Sequence, residues 1–209
     1  MGKNVEGKTF IIEDEEVVAQ EGAEIFNDYL NNKATGRSSH AEGDETTASG
    51  HNSHAEGGRT TASGLSSHAE GCSTTASGLY SHAEGYHTEA TGLNSHAEGY
   101  HTEATGRRSH AEGGYTIANG DYQHVQGKYN IADTTSAFII GNGDSNTDRS
   151  NAMTVDWDGN AKFAGDVTTG SGNSINGLAA MIGDIDTALD NIISIQESYL
   201  IPNGDEVSY

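Results

Sequence analysis

Ser39-His40-Ala41-Glu42-Gly43-Asp44-Glu45-Thr46-Thr47-Ala48-Ser49-Gly50-His51-Asn52 is a phrase that the chain repeats. Its opening, Ser-His-Ala-Glu-Gly, returns at Ser53, Ser67, Ser81, Ser95 and Ser109, always fourteen residues further on. Its second half returns too, and by the fifth copy reads Thr102-Glu103-Ala104-Thr105-Gly106. A fixed period sets the architecture ahead of any local propensity. A unit this short cannot bury its own apolar face, so it must stack on neighbours like itself. Stepping back from Ser39 by fourteen reaches Ile25-Phe26-Asn27, and stepping forward reaches Gln123-His124-Val125-Gln126-Gly127 and Ala137-Phe138-Ile139-Ile140-Gly141. The repeat region is therefore expected to span residues 25–150 as nine units.

Alternation along a strand predicts where each side chain points. In His40-Ala41-Glu42 the two polar residues share one face and Ala41 takes the other. In a second strand, Thr46 to Ser49, Thr46 and Ala48 share a face. Two short strands per coil leave a thin interior, which Ala41, Thr46 and Ala48 suit. His40 and Glu42 must then point outward, into water or against another subunit.

Composition agrees with a narrow solenoid. Only 33% of the 209 residues are hydrophobic, Gly reaches 28, and the single Pro is Pro202. A strand ladder cannot tolerate Pro, whereas a disordered linker has no reason to avoid it. The formal net charge of −21 repels nucleic-acid backbones, and no basic patch offsets it, so no nucleic-acid partner is expected. No apolar run approaches the ~20 residues that cross a bilayer, and no leader peptide is evident, so no membrane insertion is expected. Cys72 stands alone and reads as an incidental surface thiol.

Ser39-His40-Ala41-Glu42-Gly43, with Thr46, Ala48, Gly50 and Ser53 at their spacing, resembles the head repeat of trimeric autotransporter adhesins. His and Glu stand where that repeat has aliphatic residues, and Phe138 and Ile140 restore them at the exit. With the lead-in Phe26-Asn27-Asp28-Tyr29, the pattern is also similar to tail and fibre proteins of phages and prophages of Gram-positive bacteria. The resemblance implies a left-handed parallel β-roll of 14-residue coils, three of which pack as a homotrimer. It further implies a place on a virion tail or an extracellular surface, with other tail or fibre proteins and a host surface receptor as partners. The alternative is the head of a bacterial surface adhesin.

The flanks read differently. Residues 1–24, with a short strand at Thr9-Phe10-Ile11-Ile12, are expected to cap or attach the solenoid. In 151–174, Met153 to Gly165 alternates about Asp158-Gly159, a hairpin signal that the resemblance makes a neck. Trp157 and Phe163 are expected to be packing residues. Over 175–201, Ile175, Leu178, Ile182, Ile185, Leu189, Ile192, Gln196 and Tyr199 alternate steps of three and four, as the a and d positions of a coiled coil do. Ile at both positions favours three or more strands. Residues 202–209 form a tail.

The recurring His-x-Glu also invites a metal reading. His40/Glu42, His54/Glu56, His68/Glu70, His82/Glu84, His96/Glu98 and His110/Glu112 each set an imidazole beside a carboxylate. The favoured expectation is a hydrogen-bonded His–Glu ladder at the trimer interface, together with Phe138, Ile140, Ile182, Ile185, Leu189 and Ile192, and no cofactor. Metal sites repeated every ~4.8 Å would set like charges very close. Six equivalent pairs single out no base or nucleophile, so no enzyme is expected. The row Thr47, Thr61, Thr75 has the regularity of an ice-binding face, but Glu89 and Glu103 interrupt it. The expected function is that of a structural and adhesive fibre protein.

Overall fold

A fourteen-residue period lets every coil offer its N–H and C=O groups to the same groups one coil away, and the observed pairing follows that register. The computed structural model describes the backbone of residues 10–12, 15–17, 24–26, 31–168 and 174–200, and side chains for 31–168, 174, 177 and 179–193. The protein is an all-β parallel solenoid of about eight turns of the 14-residue repeat, with one C-terminal helix. Two units are distinguished, residues 1–164 and 165–209.

In the first unit, β1 (Phe10–Ile12) and β2 (Glu15–Val17) pair antiparallel. Then β3 (Glu24–Phe26) begins the stack. Each coil carries a short and a long strand. The short ones are β4 (Lys33–Ala34), β6 (Thr47–Ala48), β8 (Thr61–Ala62), β10 (Thr75–Ala76), β12 (Glu89–Ala90), β14 (Glu103–Ala104) and β16 (Ile117–Ala118), which form a 7-stranded sheet. The long ones are β5 (His40–Asp44), β7 (His54–Gly58), β9 (His68–Cys72), β11 (His82–Tyr86), β13 (His96–Tyr100), β15 (His110–Gly114), β17 (His124–Lys128) and β18 (Ser136–Asn142). They stack in parallel so that His82 lies beside His68 and His96, and Ala83 beside Ala69 and Ala97.

Between the sheets lies the thin core. Ala41 and its equivalents up to Ala111, then Val125 and Ile139, fill one side; Ala34 and its equivalents up to Ala118 fill the other, all fully buried. The expected placement of Ala41, Thr46 and Ala48 inside is observed. Ser39 and its equivalents are buried as well, and each Oγ donates to a backbone carbonyl three residues back, as Ser81 does to Gly78 at 2.7 Å.

The backbone repeats at half the sequence period. From Asn31 to Tyr129 a non-glycine residue at every seventh position has φ between 43° and 59°. These left-handed corners are held by a ladder of their own: the amide of Arg59 donates to the Asp44 carbonyl at 2.7 Å, and that of Asn52 to Arg37 at 2.8 Å. Two glycine columns complete the turns. A Cβ on Gly71, whose φ is +105°, would stand 2.1 Å from the Gly85 carbonyl oxygen. One on Gly64 would stand 2.0 Å from that of Gly78.

Larger amides close the Thr column at both ends. Asn32 Oδ1 accepts from the Thr46 amide at 3.0 Å and its hydroxyl at 2.9 Å, and Nδ2 donates to the Gly43 carbonyl. Asn130 bonds the amide and carbonyl of Ile117. Gln123 takes the buried Ser position and donates to the Ser136 and Asp133 carbonyls. Arg149 ties this end by donating to the carbonyls of Tyr115 and Asn130.

Beyond β18 the sheet reverses. β19 (Asn151–Asp156) pairs antiparallel with β18 and with β20 (Ala161–Phe163), and Asp156 accepts from the amides of Asp158 and Asn160 across the predicted turn. Trp157 and Phe163 are half-exposed in this chain rather than packed in a core. In the second unit, α1 (Ile175–Leu200) covers the predicted heptads. Ser174 caps it by accepting from the Gly177 amide at 2.8 Å.

Two expectations are corrected. The first coil is not fourteen residues: Ile25 lies beside Ala41 and Phe26 beside Glu42, sixteen apart. Ala34, which matches Ala48 in sequence, does keep the fourteen-residue register, so the departure lies ahead of it, where Ile25 and Phe26 share no residue with the repeat phrase. The second strand is also shorter than Thr46 to Ser49, because the left-handed corner at Glu45 and the turn at Gly50 leave room for only two extended residues.

Candidate functional site: the histidine–glutamate face

Each long strand places its His and Glu outward and its Ala inward, as alternation requires. The result is a column of imidazoles at the coil spacing. His54, His68, His82, His96, His110 and His124 follow one another at 4.6–4.8 Å between ring centroids, with planes 5–17° apart. His40 is turned at 76° to His54, and the far end meets Phe138 edge-on at 5.4 Å. Beside the column runs a shallow groove lined by Glu70, Glu84, Glu98 and Glu112, by Gly85, Gly99, Gly113 and Gly127, and by Gln126 and Ile140.

The imidazoles and carboxylates are close, but most do not form the expected hydrogen-bonded ladder. His40 Nε2 lies 3.3 Å from Glu42, a hydrogen bond. The corresponding separations are 3.6 Å for His54–Glu56, 3.5 Å for His68–Glu70 and 3.8 Å for His82–Glu84. Further along, the partner changes coil: His110 faces Glu98 at 3.5 Å, and His124 faces Glu112 at 3.3 Å. The Nε2 atoms of His54, His68, His82, His96 and His110 are shielded from solvent and have no hydrogen-bond partner.

Charge reinforces this picture. Burial pushes the His68 and His96 imidazoles below their ordinary value, and the neighbouring imidazoles add to the effect. Burial also raises the Glu56 carboxyl, helped by Glu70 and Glu42 against the opposing pull of His54. Phe138 and Ile140 lie in register with His124 and Gln126 on the same outward face. The predicted face is thus brought together within one chain. Ile182, Ile185, Leu189 and Ile192 lie in the second unit, each more than half exposed.

A second cluster was missed. Tyr86, His87, Tyr100, His101, Tyr115 and Tyr129 occupy the two positions after the Gly of the long strand. His87 and His101 stack at 4.7 Å, and Tyr115 and Tyr129 at 4.5 Å. Reading the residue after Gly down the repeat, Asp44, Gly58, Cys72, Tyr86, Tyr100, shows the aromatic run from the fourth copy onward. Cys72 is half-buried there, its Sγ 3.8 Å from the Arg59 guanidinium.

The fold and face define a class, the parallel β-solenoid built on a short tandem repeat. No family model matches the chain, and no curated protein matches its sequence.

Proposed function

We propose that this chain is the protomer of a homotrimeric fibre, with the roll as a stiff shaft or head and α1 as a three-stranded coiled coil. The observation that carries this reading is the helix. Ile182, Ile185, Leu189 and Ile192 are 60%, 62%, 53% and 54% exposed in a single chain, at alternating a and d spacing. Fully burying an Ile or Leu side chain is worth roughly 1.5–3 kcal/mol, so such a stripe favours a partner with the same stripe. The outward face bearing Phe138 and Ile140 beside the His column suits the same threefold contact, and the β19–β20 hairpin, with exposed Trp157 and Phe163, suits a neck between roll and coiled coil. The resemblance of the repeat to phage and prophage tail fibres supports a role in attachment to a host surface.

Light scattering coupled to size exclusion tests this. Three chains per particle are expected at micromolar concentration; a stable monomer overturns it. Electron microscopy with an antibody against the roll should then decorate a tail or fibre.

A further inference from the structure

We propose that the outward His–Glu column is a transition-metal site, in which alternate coils of the roll each chelate one borderline-soft divalent ion such as zinc. Three sets of donors in one chain share no residue: His40, Glu42 and His54; His68, Glu70 and His82; His96, Glu98 and His110. In each set the ligand atoms lie within 4.8 Å of one another. All donors come from one chain, so the inference does not rest on the trimeric reading.

The separations carry the argument. In the second and third sets, the Nε2 of His68 and of His110 lies 3.5 Å from the carboxylate it faces, Glu70 and Glu98, without a hydrogen bond, whereas in the first set His40 and Glu42 are hydrogen-bonded at 3.3 Å. Two donors about 2.0–2.2 Å from one tetrahedral ion sit roughly 3.3–3.6 Å from each other. The same gap that is too wide for a shared proton therefore fits a shared ion. Five shielded Nε2 atoms without a hydrogen-bond partner are a standing cost, and a metal satisfies the lone pair that water cannot reach. Two imidazoles and a carboxylate, with an open fourth position, are a recognised zinc donor set.

Spacing then limits occupancy. The rings repeat at 4.7–4.8 Å, and divalent ions at that distance repel strongly. An ion about 2.1 Å from two nitrogens holds them no more than about 4.2 Å apart, so paired imidazoles must tilt together, which opens the gap to the next pair. Occupancy of alternate coils follows. A fourth set, His82, Glu84 and His96, shares a His with each of two others and competes with them.

The test is titration of the full chain, without a polyhistidine tag, with zinc chloride against a magnesium background by calorimetry. Cobalt(II) absorption would report low coordination number. Three ions per chain are expected, and not six. The Glu42→Gln/Glu70→Gln/Glu98→Gln variant leaves only the set around Glu84 and should bind one. The Glu56→Gln/Glu84→Gln/Glu112→Gln variant has the same charge and should still bind three. His87→Gln/His101→Gln, which removes the other His stack, should change nothing. Circular dichroism and particle mass, recorded for each variant, separate loss of metal from loss of fold or of the trimer. Absence of zinc binding by the unaltered chain, or equal stoichiometry in the two Glu variants, would overturn the proposal.

Discussion

In the roll, the side chains enclosed between the sheets are mostly Ala, Ser and Thr. On the helix, the large apolar side chains among the described residues are Ile, Leu and Met, and they stand exposed in a single chain. A buried methyl contributes little, about 0.8 kcal/mol per carbon, so the roll cannot rest on apolar burial alone. Its stability comes from hydrogen-bond ladders repeated coil after coil and from backbones that approach too closely for a Cβ. The helix has the opposite resources: large apolar groups, exposed among its described side chains, and a capped N-terminus. The roll should therefore depend more on backbone geometry than on association, and the helix the reverse.

The largest effect that tests this contrast is Gly71→Ala. The new Cβ meets a carbonyl fixed on both sides by ladders, at a φ of +105°. We expect a loss of about 3 kcal/mol or more, read as a collapse of the chemical-unfolding midpoint. Gly114→Ala is the matched control, because nothing lies within 4 Å of its Cβ and its φ is not positive; it should be neutral. An equal loss at both positions would refute close approach as the basis of the roll.

On the helix, Ile185→Asn should abolish the trimer in light scattering while leaving the β-sheet circular dichroism unchanged. One polar substitution removes roughly 1.5–3 kcal/mol of burial from each of three chains. If the roll melts with the helix, the contrast fails. In the opposite direction, Gly183→Ala has open space at the new Cβ and should favour the helix by about 1 kcal/mol, raising the trimer's melting temperature.

The His column gives the roll a pH dependence, measured in chelator to exclude metal. His68 is flanked by His54, His82, Glu70 and Glu84; His96 by His82, His110, Glu84 and Glu98. Both are held below their unfolded value, so the unfolded chain binds more protons as pH falls through about 6.5, and stability falls with it. The raised Glu56 carboxyl acts in the opposite sense only in the carboxylate range. The roll should melt at lower temperature at pH 5.5 than at 7.5, and the difference should shrink in His68→Gln/His96→Gln. A melting temperature equal at the two pH values would remove this coupling.

Much of this was legible in the sequence because a perfect repeat multiplies each local inference. Placing Ala41 inside and His40 outside at one coil placed them at all. The turn at Asp158-Gly159 and the heptads from Ile175 were equally readable, since each has a period of its own. The sixteen-residue first coil was not, because Ile25 and Phe26 carry no repeat identity to align. The sevenfold corner was hidden because residues as different as Arg59, Ser66, Tyr80 and His87 occupy the same left-handed conformation. There the ladder selects the conformation and the side chain is free. The His–Glu separations were also beyond reach, since strand alternation sets which face a group takes but not whether 3.3 or 3.8 Å separates it from a neighbour.

The smallest predicted effect probes the interior itself. The hydroxyls of Thr60, Thr74, Thr88 and Thr102 are buried without a hydrogen-bond partner, whereas that of Thr46 donates to Asn32. Valine replaces the hydroxyl by a methyl of nearly the same size. At Thr46 this strips a bond from Asn32 and should cost about 1 kcal/mol. At Thr74 it removes only an unpaired dipole from an apolar slot, so the change should lie between neutral and a gain of about 1 kcal/mol. Urea unfolding of the two variants measures the difference directly. Should Thr74→Val cost as much as Thr46→Val, the Thr column is bonded along its length, and the ladders that sustain the roll include its side chains as well as its backbone.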